Sequence, residues 1–272
     1  MRAAPAVGDS VAEQKIRFDD GAAYERMMGI WSGYAGEIFL DWLAPRPGLR
    51  WIDIGCGNGA FTELIVARAA PAAVAGVDPS QGQLSYARQR HKAGLAEFKQ
   101  GDAMALPFAD RGFDAATMAL VIFFVPEPAK GVAEMARVVR PGGTVAAYAW
   151  DMLGGGFPLE PIRIELRAIG IPPMTPPSAA ASRMEALQDL WRGAGLEAVE
   201  TREIVVQRSF ADFEEFWSIS LLGSSLGPTV AAMAAADVET LKTRVRARMP
   251  ADAAGRIIYS ARANAVKGRV PA

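Results

Sequence analysis

The stretch Trp51-Ile-Asp-Ile-Gly-Cys-Gly-Asn-Gly-Ala-Phe-Thr-Glu63 decides how this chain folds. Residues 49–54 are predicted to form a short buried strand, and the spacing of apolar residues predicts a helix over 60–69. The glycines between them can adopt positive φ and leave the backbone open to a ligand, while the helix offers free N–H groups. The turn therefore predicts a site for a polar, nucleotide-like cofactor.

Short apolar runs alternate with helical patterns along the rest of the chain. Strands are predicted at 74–78, 95–100, 113–124, 144–150, 196–208 and 257–266. Helices are predicted at 22–43, through Leu84 and Ala87, and at 128–140, 184–194, 210–222 and 230–249. Pro141-Gly-Gly143 is expected to separate a helix from the next strand. Strands joined by helices in this order predict an α/β fold with a doubly wound, mainly parallel sheet.

Composition restricts the class of protein. The chain has 272 residues, 51% of them hydrophobic, which is enough for a large core. A formal net charge of −1 gives no general basic footprint, so nucleic acid is not an expected partner. The single cysteine excludes an intramolecular disulfide and favours a cytoplasmic location. Residues 1–18 lack a signal-peptide pattern, and no run is long and apolar enough to predict a membrane span.

The glycine turn alone leaves the cofactor open. Gly55-x-Gly57-x-x-Ala60 also fits a relaxed dinucleotide fingerprint, and Asp78 supplies the acidic residue that would bind ribose hydroxyls in either case. The glycines could also form only a tight turn, and Asp78-Pro-Ser80 could act only as a helix cap. Gly101-Asp-Ala103 after the third strand favours S-adenosylmethionine, because a carboxylate and an adjacent N–H suit adenine.

Five motifs in order carry a family resemblance. They are Asp53-Ile-Gly-Cys-Gly-Asn-Gly59, Val77-Asp-Pro-Ser80, Gly101-Asp-Ala-Met-Ala-Leu-Pro-Phe108, Phe113-Asp114 and Val138-Val-Arg-Pro-Gly-Gly143. Over about 49–150 the chain resembles the class I S-adenosylmethionine-dependent methyltransferases and is similar to their ubiquinone and menaquinone biosynthesis branch. The resemblance implies a Rossmann-like, seven-stranded sheet whose last strand is antiparallel. The patterning of the chain further predicts an N-terminal helical cap segment over 1–48 and a methyltransferase domain over 49–272, with an inserted helical cover near 151–185 and helical additions near 210–250.

The resemblance assigns cofactor contacts. Gly55 and Gly57 would approach the methionine part, Asp78 the ribose, and Asp102 with Ala103 the adenine. Met118 or Ala119 would line the floor near the sulfonium. The full set expected to bind S-adenosylmethionine is Asp53, Gly55, Cys56, Gly57, Gly59, Asp78, Pro79, Gln83, Asp102, Ala103, Met104, Met118 and Ala119.

The acceptor is expected to be a small molecule that is aligned with the methyl group while water is excluded. Many relatives carry a histidine where this chain has Phe123-Phe124, so no catalytic residue is assigned; polar candidates for a base are Tyr24, Tyr34, Asp151 and Glu160. The residues expected to line the acceptor pocket are Tyr24, Trp31, Phe123, Trp150, Phe157 and Trp217. An uncharged or hydrophobic acceptor follows from these aromatic residues.

Other reactive residue types are interpreted structurally. His91 is the only histidine and is predicted to lie on the surface, and Cys56 is predicted to be a small turn residue. No ligand-spaced cluster predicts a metal site. The basic run Lys242, Arg244, Arg246 and Arg248 is interpreted as a solvated helix. Two other functions stay open at this point: a non-catalytic protein that binds the cofactor, and an NAD-dependent oxidoreductase.

Overall fold

A computed structural model gives the fold and describes residues 25–90, 94–222, 226–249 and 251–272. Tyr24 and His91 lie outside the described residues. The described strands are β1 (Arg50–Ile54), β2 (Ala73–Asp78), β3 (Ala96–Gln100), β4 (Phe113–Ala119), β5 (Val139–Trp150), β6 (Glu197–Phe210) and β7 (Ile257–Arg269).

All seven described strands belong to one sheet, in the order β3-β2-β1-β4-β5-β7-β6. Strands β1 to β5 pair in parallel, whereas β7 runs antiparallel to both β5 and β6. The chain reverses its strand order between β3 and β4, and ligands of open α/β sheets bind beside such a reversal, at the carboxyl ends of the strands. The predicted α/β fold, with seven strands and an antiparallel last strand, is confirmed.

Helices cover the two faces of the sheet. The described α-helices are α1 (Ile30–Leu43), α2 (Ala60–Ala69), α3 (Gln81–Arg90), α4 (Pro128–Val138), α5 (Glu160–Ala168), α6 (Met184–Gly193), α7 (Phe213–Ser220), α8 (Gly227–Ala231) and α9 (Ala235–Arg248). A π-helical turn, Glu25–Gly29, precedes α1, and short 3-10 turns occupy Ile122–Phe124 and Ala179–Ser182. The buried face of α1 lies against β5, where Phe39 meets Tyr148 with ring centroids 4.7 Å apart.

The strand predicted over 113–124 is too long. Strand β4 ends at Ala119, and Leu120 takes a left-handed conformation with φ of +61°. That conformation ends an extended strand, so the chain turns into Ile122–Phe124 even though its residues are apolar throughout. The change of direction brings Val121 over the glycine turn.

Pro141-Gly-Gly143 does not separate α4 from the next strand as predicted. Strand β5 begins at Val139, and its register with β4 shifts between the pairs Phe113–Val139 and Ala115–Thr144. The three residues form an irregularity inside β5, where the regular hydrogen-bond ladder is interrupted. Glycine can adopt the backbone conformation that such an irregularity requires. Gly142 takes φ of +73° there.

The predicted helix over 230–249 is two helices, α8 and α9, and the basic run on α9 is not simply solvated. Residues four apart share a side of a helix. One such pair, Lys242 and Arg246, contacts Glu214 of α7. The other, Arg244 and Arg248, contacts the buried carboxylate of Glu165 on α5. These ion pairs fasten α9 to the two helices beside it.

Candidate cofactor and acceptor site

The glycine turn between β1 and α2 lies at the carboxyl edge of the sheet and has two different steric environments. All three glycines have positive φ, at +71° for Gly55, +52° for Gly57 and +79° for Gly59. A Cβ on Gly55 would lie 2.5 Å from the side chain of Val121, so that position is closed by packing. A Cβ on Gly57 would meet no atom of the described residues within 4 Å. The backbone at Gly57 is therefore open to a ligand.

Asp53, the last residue but one of β1, places an acidic side chain under this turn. It is fully buried, and its Oδ2 accepts a 2.7 Å hydrogen bond from Thr62 Oγ1 of α2. Its Oδ1 has no hydrogen-bond partner within the described ranges of the chain. Burial raises the pKa of this carboxyl to about 7, the Thr62 hydrogen bond opposes that rise, and the nearby charge of Asp78 adds to it. A buried carboxyl with a vacant acceptor atom suits a cationic or hydrogen-bonding ligand.

Asp78, the last residue of β2, is fastened to the same turn. Its Oδ2 accepts a 3.0 Å hydrogen bond from the Gly57 N–H, and its Oδ1 accepts one of 2.8 Å from the Ser80 N–H. Burial raises its pKa, and these two backbone donors oppose the rise. The carboxylate thus also shapes the start of α3, where Ser80 Oγ accepts from the Gln83 N–H at 3.4 Å. Asp78 therefore has a local structural role and also lies beside Gly57, whose backbone is open to a ligand.

Asp102 lies next to Asp78 because the Gly101 N–H donates to the Asp78 carbonyl at 3.2 Å. Asp102 is exposed, and its Oδ1 accepts a 2.8 Å hydrogen bond from the Met104 N–H. Asp78 at the end of β2 and Asp102 just after β3, the predicted ribose and adenine carboxylates, therefore lie at the same edge of the sheet.

The other residues expected to bind the cofactor differ in their burial. Cys56 is buried, its Sγ lies against Gly76, and burial raises its thiol pKa, so the thiol is no nucleophile. Met118 is fully buried and its side chain approaches Gly131 of α4, whereas Ala119 is partly exposed. The Pro79 carbonyl accepts from Gln100 Nε2 at 2.9 Å. Cys56 and Met118 can thus offer backbone rather than side-chain groups to a cofactor.

Sequence reasoning missed the contacts that hold the N-terminal segment to this edge. Glu25 Oε2 accepts from Asn58 Nδ2 of the glycine turn at 3.3 Å, and both Glu25 and Glu63 pair with Arg90. The buried guanidinium of Arg208 donates to the Met27 carbonyl at 3.0 Å, and burial lowers its pKa. Strand β6 carries several other charged residues, so its local pattern does not single out Arg208.

The aromatic residues expected at the acceptor pocket are mostly buried. Trp31 contacts Phe210 and Tyr259, with centroids 6.3 Å and 6.1 Å away, at the adjoining ends of β6 and β7. Trp217 stacks on Phe213. The side chains of Phe123 and Trp150 are also buried, while Phe157 is partly exposed beneath the guanidinium of Arg163. Phe210 and Tyr259, absent from the sequence-based set, join Trp31 through tertiary contact alone.

Of the candidate bases, Asp151 and Glu160 are paired with other side chains, and Tyr34 is exposed to solvent. Asp151 accepts hydrogen bonds from the Gly154 N–H at 2.8 Å and from Arg262 Nη2 at 2.5 Å. Buried Glu160 pairs with Arg163 and Arg167. Tyr34 is exposed. Arginine side chains therefore already occupy the carboxylates of Asp151 and Glu160.

Within the part of the chain that the structure describes, no three His, Cys, Asp or Glu side chains are grouped to hold a metal ion. No helix among those same residues is long and apolar enough to cross a membrane.

Comparison with known proteins shows what part of the chain is similar to. Residues 52–147 match the family described as "Methyltransferase domain". Over 108 residues the chain is 41% identical to the demethylmenaquinone methyltransferase of Desulfitobacterium hafniense, covering 38% of this chain and 42% of that protein. It is 34% identical over 160 residues to the ubiquinone/menaquinone biosynthesis C-methyltransferase UbiE of Dinoroseobacter shibae, covering 52% of this chain and 64% of that protein. The chain therefore spans about half the length of the curated relatives it matches.

Solved structures share the fold. The YcgJ protein of Bacillus subtilis superposes with a TM-score of 0.61 at 18% identity, covering 88% of this chain and 98% of that one. A putative methyltransferase of Bacillus halodurans superposes with a TM-score of 0.58 at 16% identity, covering 87% of this chain and 99% of that one. The matched segment 52–147 contains the glycine turn, Asp78 and Asp102 described above. Residues 52–147 of this chain therefore match a methyltransferase domain, and the chain shares its fold with these solved structures.

Proposed function

We propose that this protein transfers a methyl group from S-adenosylmethionine to a small organic molecule. The observation that carries the proposal is the pairing of an open backbone at Gly57 with an unpartnered, buried carboxyl oxygen on Asp53. The cofactor would lie over the glycine turn, with its ribose at Asp78 and its adenine beside Asp102, Ala103 and Met104. Bound there, it would supply an activated methyl group on a sulfonium.

The protein's part in the reaction is positioning. Methyl transfer needs the accepting atom in line with the sulfonium, and water kept away. The side chains around the carboxyl ends of β5 and β6 and the amino end of β7 include Trp31, Trp150 and Tyr259, which are aromatic and largely buried. Such walls exclude water and tolerate a sulfonium charge. We assign no base, because Asp151 and Glu160 are already paired with arginines.

The proposed acceptor is a small molecule rather than a nucleic acid. The relatives named above are methyltransferases of demethylmenaquinone and of ubiquinone/menaquinone biosynthesis, which favours an apolar acceptor. The formal net charge of −1 gives no excess of cations to displace counterions from phosphates. The single cysteine is consistent with a cytoplasmic location, which we include in the proposal.

The test of this function is calorimetric titration of the purified protein with S-adenosylhomocysteine, with NAD as the comparison ligand. Saturable binding of S-adenosylhomocysteine without binding of NAD supports the proposal. A screen of apolar acceptors with methyl-labelled S-adenosylmethionine then tests turnover. Selective NAD binding would refute the methyl-transfer proposal, and cofactor binding with no turnover across a broad panel would favour a non-catalytic protein.

Replacing Asp78 by alanine is expected to weaken S-adenosylhomocysteine binding by about 1–3 kcal/mol, or roughly 5- to 150-fold. The change removes the proposed ribose contact and the acceptor of the Gly57 N–H. Calorimetric titration of the folded variant measures the loss. Asp114→Ala is the matched control, because Asp114 also accepts a backbone N–H, from Arg50 at 2.7 Å, but at the opposite edge of the sheet. Equal affinity in wild type and Asp78→Ala would remove Asp78 from the site.

A further inference from the structure

A cavity of about 430 Å³ lies at the amino edge of the sheet, away from the glycine turn. Its walls come from the end of α1, the loop that leads into β1, the first residues of β1, β4 and β5, and the last residue of β7. Trp51 lines this cavity, whereas the glycine turn begins at Gly55, beyond the carboxyl end of the same strand. The cavity is therefore separate from the proposed cofactor site, and its volume is that of a small-molecule site.

Positive charge is concentrated around this cavity. Three arginines line it, Arg46, Arg140 and Arg269, together with one carboxylate, Asp114. Arg140 pairs with Asp114, whereas Arg46 and Arg269 have no ion-pair partner among the residues that the structure describes. Three guanidinium groups and one carboxylate leave the lining with two positive charges in excess, in a chain whose formal net charge is −1.

The loop that carries Arg46 is held in place on both sides of that residue. Before it, the Ala44 N–H donates to the last turn of α1 at 3.0 Å, and after it, the Gly48 N–H donates to the residue that follows α2 at 2.8 Å. Pro45 and Pro47 flank Arg46, and each has a fixed φ. The backbone of Arg46 is thus positioned at the cavity before any ligand binds, which lowers the entropic cost of binding.

Arg269 is held beside the same cavity by β7. It lies opposite Thr144 of β5 in the antiparallel register, and Thr144 also lines the cavity. The next residue, Val270, accepts a 2.9 Å hydrogen bond from the Gly142 N–H and donates one of 3.0 Å to the Gly143 carbonyl. The fold therefore fixes the backbone of both unpaired arginines, while their exposed side chains can adjust to a ligand.

Apolar side chains complete the cavity. Leu43, Leu49 and Trp51 form part of its wall. Trp51 is only 2% exposed, and within the described ranges its Nε1 has no hydrogen-bond partner. A buried donor without a partner is unfavourable and calls for a physical explanation. The wall thus offers apolar surface and an unsatisfied donor beside the cations.

The charge of the lining indicates what the cavity would bind. A phosphate monoester carries a charge of about −1.5 to −2 near neutral pH, which matches two positive charges in excess. Guanidinium groups bind phosphate oxygens through pairs of parallel hydrogen bonds. A carboxylate or a sulfonate carries a single charge and would leave part of the excess uncompensated. The apolar wall suits an organic group attached to the phosphate.

We propose that this cavity binds a small organic phosphate, with Arg46 and Arg269 contacting the phosphate and Trp51 contacting the apolar part. The inference does not depend on methyl transfer, because none of the residues that line the cavity belongs to the predicted cofactor or acceptor sites. The organic phosphate and S-adenosylmethionine occupy opposite edges of the sheet. They therefore bind together and do not compete.

The test is calorimetric titration of the full-length protein with 1-naphthyl phosphate, without and with saturating S-adenosylhomocysteine. We expect saturable binding with the same affinity in both titrations. 1-Naphthalenesulfonate keeps the ring but carries one charge, and inorganic phosphate lacks the ring, so each should bind about tenfold more weakly. No saturable binding of 1-naphthyl phosphate, equal affinity for all three probes, or competition with S-adenosylhomocysteine would overturn the inference. The titration without S-adenosylhomocysteine tests this site even if the proposed function fails.

Arg46→Gln and Arg269→Gln should each weaken the binding of 1-naphthyl phosphate about tenfold. Both variants should fold, because the two side chains are exposed and make no ion pair with a described residue. Arg202→Gln is the matched control, since Arg202 is an exposed arginine on β6 that does not line the cavity. It should bind the probe as the wild type does. Unchanged affinity in Arg46→Gln and Arg269→Gln, or equal losses in all three variants, would contradict the proposed contacts.

Nuclear magnetic resonance of the protein labelled with ¹⁵N at tryptophan tests the location. The chain has 6 tryptophans, and Trp51→Phe and Trp150→Phe identify the indole signals of those two residues. The naphthyl ring should shift the Trp51 signal and leave the signal of Trp150, the last residue of β5, in place. A Trp51 signal that does not move when the probe binds would place the probe elsewhere and overturn the inference.

Discussion

Replacing Gly57 by asparagine is expected to reduce S-adenosylhomocysteine affinity by about 100-fold, equivalent to ~2.7 kcal/mol, while the protein stays folded. Asparagine tolerates the left-handed conformation that Gly57 adopts at φ of +52°. Its side chain would enter space that the described residues leave open, because none of their atoms lies within 4 Å of a Cβ there. That space is where we place the cofactor. Calorimetric titration measures the affinity, and thermal unfolding verifies the fold.

Gly142→Asn is the control for Gly57→Asn. Gly142 also has positive φ, +73°, and also has no atom within 4 Å of a built Cβ, but it lies at the amino edge of the sheet. Both substitutions therefore carry a similar backbone penalty, and only one of them fills the proposed site. If the two variants bound S-adenosylhomocysteine equally well, the cofactor would not lie over Gly57.

Replacing Asp53 by asparagine is expected to remove a pH dependence of stability on the order of 4 kcal/mol. In the folded protein the Asp53 pKa is about 7, against an ordinary value of 3.8. A raised carboxyl pKa means that the folded state holds the proton more tightly than the unfolded state. Its contribution to stability is therefore complete below about pH 4 and is lost as the pH rises through 7. Asparagine stays neutral and can still accept the Thr62 hydrogen bond.

Urea unfolding at pH 5, 6, 7 and 8 measures this effect as the difference between variant and wild type. The variant should gain relative stability by about 1.4 kcal/mol per pH unit between pH 5 and 7, with the gain levelling off above pH 8. Asp114→Asn is the control. Burial alone would raise the Asp114 pKa, but the Arg50 N–H and the Arg140 guanidinium lower it, so its variant should show no slope over this range. A pH-independent difference for Asp53→Asn would contradict the assigned pKa.

Asp53 therefore makes the free protein less stable at neutral pH than asparagine would. Buried carboxyls with raised pKa and a vacant acceptor atom are concentrated at functional sites, where a ligand compensates for them. Loss of pH-dependent stability in Asp53→Asn should accordingly be accompanied by weaker cofactor binding above pH 7, where the wild-type carboxyl is charged. Asp53 is thus expected to affect both the stability of the protein and the binding of the cofactor.

The local sequence pattern was sufficient to predict the elements on either side of the glycine turn. The apolar run before Gly55 and the helical spacing after Gly59 predicted β1 and α2, because each is a short element whose own periodicity identifies it. The order of the acidic residues also placed Asp78 and Asp102 at one edge, since parallel strands end on the same side. Local pattern failed where apolar residues turn sharply, as at Leu120, and where a strand contains an irregularity, as at Gly142.

What the sequence by itself determined is the sheet of alternating strands and helices and the chemistry of its glycine turn, because those depend on residues close together in the chain. Tertiary structure alone decided which glycine is open. Gly55 is closed by Val121, 66 positions later, and Gly57 is not. It also brought Trp31 to Phe210 and Tyr259, and paired the basic residues of α9 with Glu165 and Glu214. These contacts join residues far apart in the chain, and no local periodicity encodes which distant surfaces will meet.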